Sequence, residues 1–298
     1  MKRAPAVHGQ FQKGRRAVLF LGDCMELLEG MPEASVDLTI TSPPYCMGKQ
    51  YEASRSVRDF EETHRKLAPL IRRVTKPGGS ICWQVGYHVE DSGAVPLDAL
   101  VYPLFMDGDE LVLRNRIVWT FGHGLHSKKR FSGRHEMVLW FTKKGGNYKF
   151  ALDDVRLPQK YPGKKHYKGA KKGAYSGNPR GKNPEDVWAI PNVKANHVEK
   201  TKHPCQFPVG LVQRLIRALT APGDLVLDPF AGSGTSGAAA LLDKRRFVGA
   251  EIDPEYHQLA HGRLVAAMNG TLVYRDGNRP VYTPNGKSGV EKKPPDWD

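Results

Sequence analysis

A chain of 298 residues carries 45 Lys or Arg against 31 Asp or Glu, for a formal net charge of +14. Hydrophobic residues make up 40% and charged residues 26%, which excludes a largely disordered chain and suits one large α/β domain with an inserted or appended subdomain. The charge points to a polyanion, nucleic acid first, with a merely basic soluble enzyme as the plain alternative. Cys24, Cys46, Cys82 and Cys205 form no close CxxC pair, so no metal site is expected, and they are too few for a disulfide scaffold. Reduced thiols in a cytoplasm fit best. The segment from Met1 to Arg16 lacks the apolar stretch of a signal peptide, and no run reaches the length of a membrane helix.

In chain order, residues 1–16 read as a flexible basic arm. Ala17 to Leu21 is a short buried strand ending at Gly22-Asp23, and Cys24 to Leu28 begins a short helix. Val36 to Ile40 is a second strand that runs into Thr41-Ser42-Pro43-Pro44-Tyr45, where adjacent prolines must end the ladder in a rigid turn. Cys46 to Val57 reads as a mobile loop. Asp59 to Val74 has helical spacing and is stopped by Lys76-Pro77-Gly78-Gly79. Ser80 to Val85 is a strand and Val95 to Met106 a helix. Leu111 to Trp119 and Glu136 to Phe141 form a strand pair around a Gly-, His- and Lys-rich loop, Phe121 to His135. From Lys143 to Pro204 there are fifteen Lys or Arg against five Asp or Glu, with Tyr148, Tyr161, Tyr167, Tyr175 and Trp188 interleaved. That stretch reads as irregular structure shaped around a partner. A helix from Phe207 to Leu219, a strand from Asp224 to Leu227, a helix to Leu242, a strand from Arg246 to Ala250 and a helix from Pro254 to Met268 follow. Thr271 to Asp298 reads as a loose tail.

Two motifs fall at strand ends. In Asp228-Pro229-Phe230-Ala231-Gly232-Ser233-Gly234-Thr235, glycines let a ligand approach the backbone and free the amides at a helix start. A tight structural turn is the plain alternative. Glu251, ending the next strand, has the spacing of a carboxylate that accepts ribose hydroxyls, which favours a nucleoside cofactor. No Lys-Ser or Lys-Thr follows the glycines, so a phosphate-binding P-loop is excluded. In Thr41-Ser42-Pro43-Pro44-Tyr45, a hydroxyl and a backbone carbonyl in a rigid turn supply two fixed acceptors for an exocyclic base amine, and the ring gives an extruded base a stacking surface. A packed turn is the alternative there.

Together these segments resemble the β class of amino-methylating DNA methyltransferases, in which the catalytic turn precedes the cofactor motif. The likeness runs from about Val18 to Arg263. It implies a doubly wound, mostly parallel α/β sheet with permuted motif order and an irregular basic target-recognition region. It also implies S-adenosyl-L-methionine as cofactor. Ser42, Pro43, Pro44 and Tyr45 would be catalytic. Asp23, Thr41, His203, Asp228, Pro229, Phe230, Ala231, Gly232, Ser233, Gly234, Thr235 and Glu251 would form the cofactor site. Within it, Phe230 and Gly232 would line the methionine end, Glu251 would hold the ribose and Asp23 would accept from the adenine amine. The segment His203-Pro204-Cys205-Gln206-Phe207-Pro208 would close over the methionine. A helix cap for Asp23 and a helix-start role for His203 stay open.

The corresponding divisions are a basic arm at 1–16, a catalytic half at 17–142, a target-recognition region at 143–200, a cofactor half at 201–269 and a tail at 270–298. Duplex DNA is the expected partner, contacted by Lys49, Tyr51, Lys128, Lys129 and Arg130 from loops flanking the active face, and by Lys164, Lys165, Lys171, Lys172 and Arg180 in the basic stretch. A homodimer and a cognate restriction endonuclease are left open, and nothing in the residues marks a dimer surface. Adenine-N6 members usually carry Asp before Pro-Pro-Tyr and cytosine-N4 members Ser, so Ser42 favours cytosine N4, with adenine N6 as the alternative. Cytosine C5 methylation needs a cysteine nucleophile after the cofactor motif, and Pro204-Cys205 lies before it. An RNA or protein-glutamine methyltransferase would carry Asn before Pro-Pro-Tyr and the reverse motif order. A non-catalytic DNA-binding relative would be expected to have lost Tyr45, Glu251 or the glycines.

Overall fold

The computed structural model describes residues 6–45, 56–90, 93–122, 124, 126–158, 165–174, 176–194 and 196–277. In chain order they form β1 (Ala17–Leu21), α1 (Cys24–Glu29), β2 (Val36–Thr41), α2 (Val57–Val74), β3 (Thr75–Val85), β4 (Tyr87–Glu90) and β5 (Gly93–Pro96). There follow α3 (Leu97–Met106), β6 (Leu111–Thr120), β7 (His135–Lys143), β8 (Val187–Ala189), α4 (Val209–Leu219), β9 (Leu225–Asp228), α5 (Thr235–Leu242), β10 (Arg246–Glu251) and α6 (Pro254–Asn269).

Eight strands make one sheet in the order β1-β10-β9-β2-β3-β7-β6-β8. The five from β1 to β3 are parallel, β7 runs antiparallel to both β3 and β6, and β8 lies parallel to β6. This is the expected doubly wound, mostly parallel sheet. Its central strands read as near-continuous apolar runs because both faces are covered. On one face Leu38, Ile40 and Val226 join the core under α4, α5 and α6; on the other, Val36, Leu225 and Leu227 pack with α1, α2 and α3.

Helix α2 shows how pattern becomes packing. Phe60, His64, Leu67, Ala68, Ile71 and Val74 recur at helical spacing and all are buried. The helix starts two residues before the sequence reading, at Val57, because Ser56 and Asp59 form a reciprocal capping box. It ends at Val74 as expected, yet Lys76 to Gly79 does not separate it from the next strand. Those residues lie within β3, and a register shift between Val36 and Leu38 of β2 absorbs them. The helix read from Val95 starts at Leu97, since Gly93–Pro96 pairs with Tyr87–Glu90 as a small hairpin.

Within the basic stretch, Val187–Ala189 is regular after all and extends the main sheet beside β6. Buried Trp188 fixes it, and the Trp119 indole donates to the Ile190 carbonyl at 2.8 Å. At the N-terminal side, His8 makes a parallel bridge with Val18. The first residues past α6 are packed rather than loose: Leu272 and Tyr274 lie against the core under α4, α5 and α6, and the Arg275 amide donates to Glu199 at 3.0 Å. Among the described residues no helix is long and apolar enough to cross a membrane.

Candidate active site

Strands β2 and β9 are neighbours in the sheet although they come from opposite halves of the chain. From β2 the chain continues to β3 on one side; from β9 it continues to β10 on the other. That reversal opens a crevice at the strands' carboxyl ends, where open α/β sheets bind ligands. Both motifs emerge there. The buried Thr41 hydroxyl donates to Asp228 Oδ1 at 2.5 Å and ties the two turns together. Burial pushes the Asp228 carboxyl up to about 6, against the donations from Thr41 and from the Phe230 amide at 3.1 Å.

The crevice opens into a cleft of about 370 Å³. On its β9 side, Gly232 has φ of 51°, and a Cβ there would come within 3.1 Å of His203 Nε2. A left-handed backbone under an imidazole therefore favours glycine, since any side chain there would be strained and would press on His203. Glu251, ending β10, accepts from the Gly232 amide at 2.7 Å through one oxygen and from the Asp253 amide at 2.9 Å through the other. Burial raises its carboxyl above the ordinary range. Behind the turn, buried Arg263 donates to the Ser233 carbonyl at 2.7 Å and to Thr235 Oγ1 at 2.9 Å. His203 also meets the Tyr256 ring edge-on, 4.5 Å between centroids. Asp23 caps α1 by accepting from the Met25 amide at 2.7 Å, so the helix-cap reading is realised, and Asp23 still lines the cleft. A glycine cradle, a carboxylate at the neighbouring strand end and an apolar wall at Phe230 fit a nucleoside carrying an amino-acid chain.

On the β2 side, Ser42 Oγ and Tyr45 Oη lie 3.1 Å apart. The Tyr45 hydroxyl is 3.5 Å from both the Gln84 carbonyl and Glu136 Oε2, and the Gln84 amide donates to the same Glu136 oxygen. Burial, then the Glu136 charge, pushes the Tyr45 hydroxyl well above the ordinary phenol range, so it stays a neutral donor. Trp119 and Phe121 complete an aromatic wall on this side.

Of the residues expected from sequence, Asp23, Ser42, Pro43, Pro44, Tyr45, His203, Pro229, Phe230, Ala231, Gly232, Ser233, Thr235 and Glu251 line this one cleft. Thr41, Asp228 and Gly234 stand outside its lining, Thr41 and Asp228 as the buried link between the turns. Lys128, Lys129, Arg130, Lys165, Lys171, Lys172 and Arg180 do not line it either, and Arg180 is ion-paired with Asp153. Lys49, Tyr51 and Lys164 lie outside the described residues. Sequence reading missed Gln84, Glu136, Trp119, Lys194 and Arg263. All but Arg263 line the cleft from segments distant in sequence; sheet register brings Gln84, Trp119 and Glu136 together, and Lys194 comes from the loop after β8.

Residues 36–262 match the family model described as DNA methylase. The chain is 48% identical over 256 residues to the type II methyltransferase M.BglII of Bacillus subtilis, covering 86% of this chain and 71% of that one. It is 32% identical over 251 residues to the DNA adenine methyltransferase YhdJ of Escherichia coli K12, covering 83% and 82%. Among solved structures, a Thermus thermophilus protein described as a DNA modification methylase, complexed with S-adenosyl-L-methionine, superposes with a TM-score of 0.60 at 28% identity, over 85% of this chain and 94% of that one. Motif, cleft and relatives agree: the chain belongs to the N6/N4 family of S-adenosyl-L-methionine-dependent DNA methyltransferases.

Proposed function

We propose that this protein methylates the exocyclic N4 of cytosine at a specific site in duplex DNA, on a base swung out of the helix into the cleft. The observation that carries the reading is Ser42, a hydroxyl rather than a carboxylate at the head of the turn, 3.1 Å from the Tyr45 hydroxyl. S-adenosyl-L-methionine, when bound, supplies a methyl group already activated as a sulfonium. The chain's own task is placement. A base amine is a poor nucleophile because its lone pair is delocalised into the ring, so it must be held by acceptors as positive charge builds on nitrogen. Ser42 and a backbone carbonyl of the Pro43-Pro44 turn serve as those acceptors. Tyr45 stacks on the extruded ring and, as a neutral donor, orients Ser42.

On the cofactor side, Glu251 holds the ribose hydroxyls, Asp23 the adenine amine, and Phe230 and Gly232 the methionine end, with His203 closing over it. The basic stretch at 143–200 serves as the target-recognition region, its cations on phosphates and its aromatics and amides toward bases. A cytoplasmic setting and a place in a restriction-modification system complete the proposal, with the homodimer left open. Adenine N6 is the second reading, favoured by the 32% identity to an adenine methyltransferase. The test is to methylate plasmid DNA with the protein, digest it to nucleosides and weigh the product. N4-methylcytosine is expected; N6-methyladenine in its place overturns the base assignment.

A further inference from the structure

Phe131 is wholly exposed, more so than any other large apolar side chain among the described residues. It sits in the connection between β6 and β7, directly after Lys128-Lys129-Arg130. Both ends of that connection belong to the lip of the cleft: Phe121 follows β6, Glu136 is the second residue of β7, and both line the cavity. An aromatic ring left in water forfeits its burial, and a lone one on a cationic loop has no reason in the fold to be there.

The backbone around Phe131 is held rather than loose. The Tyr87 ring packs against Gly133 so closely that a Cβ there would fall 1.6 Å from the tyrosine oxygen. The Arg130 guanidinium lies over the same ring, 5.4 Å from its centroid. Tyr87 thus anchors the residue just before Phe131 and the loop just after it. The Ser127 amide donates to Ser132 Oγ at 3.0 Å and closes the tip. Lys128 and Lys129 are exposed beside it.

We infer that Phe131 is a wedge that enters the DNA base stack next to the target and fills the space the extruded base leaves. Apolar side chains inserted between base steps stabilise unstacked DNA, and a cationic loop brings such a side chain to the duplex by neutralising phosphates on either side. The anchoring by Tyr87 and Ser132 means the ring arrives already projecting, so little ordering at residues 126–135 opposes insertion. Leu, Ile or a smaller residue at the tip would fill less of the gap, and a charged one none of it.

This inference rests on the proposed reading of the cleft as a base-flipping site in duplex DNA. The experiment compares single-turnover methylation of two duplexes bearing the protein's own site, one with the target base paired and one with it mismatched. A mismatched base costs less to extrude, so a wedge matters less there. Phe131→Ala is expected to slow transfer about tenfold or more on the paired duplex, yet stay within about twofold of the unaltered protein on the mismatched one. Phe131→Trp should restore the paired rate. Equal slowing on both duplexes, or none on either, overturns the wedge. If the unaltered protein transfers no methyl group to either duplex, the functional reading falls and the wedge with it.

Discussion

The two turns that meet at the β2/β9 crevice are built differently. The cofactor turn is fixed by many directed bonds: two glycines with positive φ, a carboxylate bridging two amides, and a buried arginine behind it. The catalytic turn combines proline rigidity with the Ser42–Tyr45 side-chain pair at 3.1 Å and contacts at 3.5 Å from Tyr45 to the Gln84 carbonyl and Glu136. One is a cradle closed by backbone amides on a carboxylate; the other owes its shape chiefly to a stiff proline backbone. That is what the chemistry asks for. On the proposed reading, the cofactor must be held in one pose, whereas the base pocket has to accept a nucleotide that arrives only when the helix opens.

The strongest challenge to this contrast is Gly232→Val, which puts a branched side chain at φ of 51° and 3.1 Å from His203. Strain and crowding together cost about 4 kcal/mol of folding stability, seen as a lower Tm, and the branched side chain set into the cradle should lower cofactor affinity about tenfold or more by calorimetry. Unchanged affinity would show that the cradle is not where the cofactor sits.

The next effect concerns pH and the wall beneath Phe230. His64 has Nδ1 at 2.7 Å from the Phe60 carbonyl, so Nδ1 carries the proton, and Nε2 accepts from the Trp83 indole at 3.1 Å. Burial lowers His64 to about 4. Between about 6.5 and 4 the unfolded chain therefore binds more protons, and acid removes stability, by at most about 3 kcal/mol. Asp228, raised to about 6, acts in the opposite sense, since the folded state takes its proton first and gains stability as pH falls through about 6 toward 4. Tm recorded from pH 7 to pH 4 should fall with acid less steeply in His64→Gln, and more steeply in Asp228→Asn, than in the unaltered protein.

Thr41→Val removes the hydroxyl that joins the turns while keeping its shape. Buried Asp228 then loses a donor at a cost of about 2 kcal/mol, seen as a lower Tm, and turnover and cofactor affinity should decline together. A change confined to one of the two would show that the link is not shared. The smallest effect is expected from Glu251→Gln, which keeps an acceptor near the amides but loses the charge. Cofactor affinity should fall about tenfold with the turnover number at saturation little changed.

What sequence revealed follows the same division. The cofactor turn and the Pro-Pro turn are contiguous, and each residue type there has a local reason, so both could be read from order alone. The parallel strands betrayed themselves as apolar runs. Gln84 and Glu136 could not be read that way. They meet because β3 and β7 pair antiparallel, Val85 opposite Met137, and no local pattern carries that register. Arg263 sits on α6 beneath a turn thirty residues earlier. Strand β8 is three residues long amid Pro, Gly and Lys, too short for alternation to show. Lys76 to Gly79 misled because Pro-Gly-Gly usually ends an element, whereas here a bulge carries it inside β3.

The measurement that most directly tests the division of labour is the single-turnover rate of Tyr45→Ala at saturating cofactor, taken beside its cofactor dissociation constant. A rate about a hundredfold lower is expected, with cofactor affinity within about threefold of the unaltered protein, because Tyr45 would serve the base and not the cradle. Equal losses in rate and affinity would contradict that division and make Tyr45 a packing residue shared by both turns.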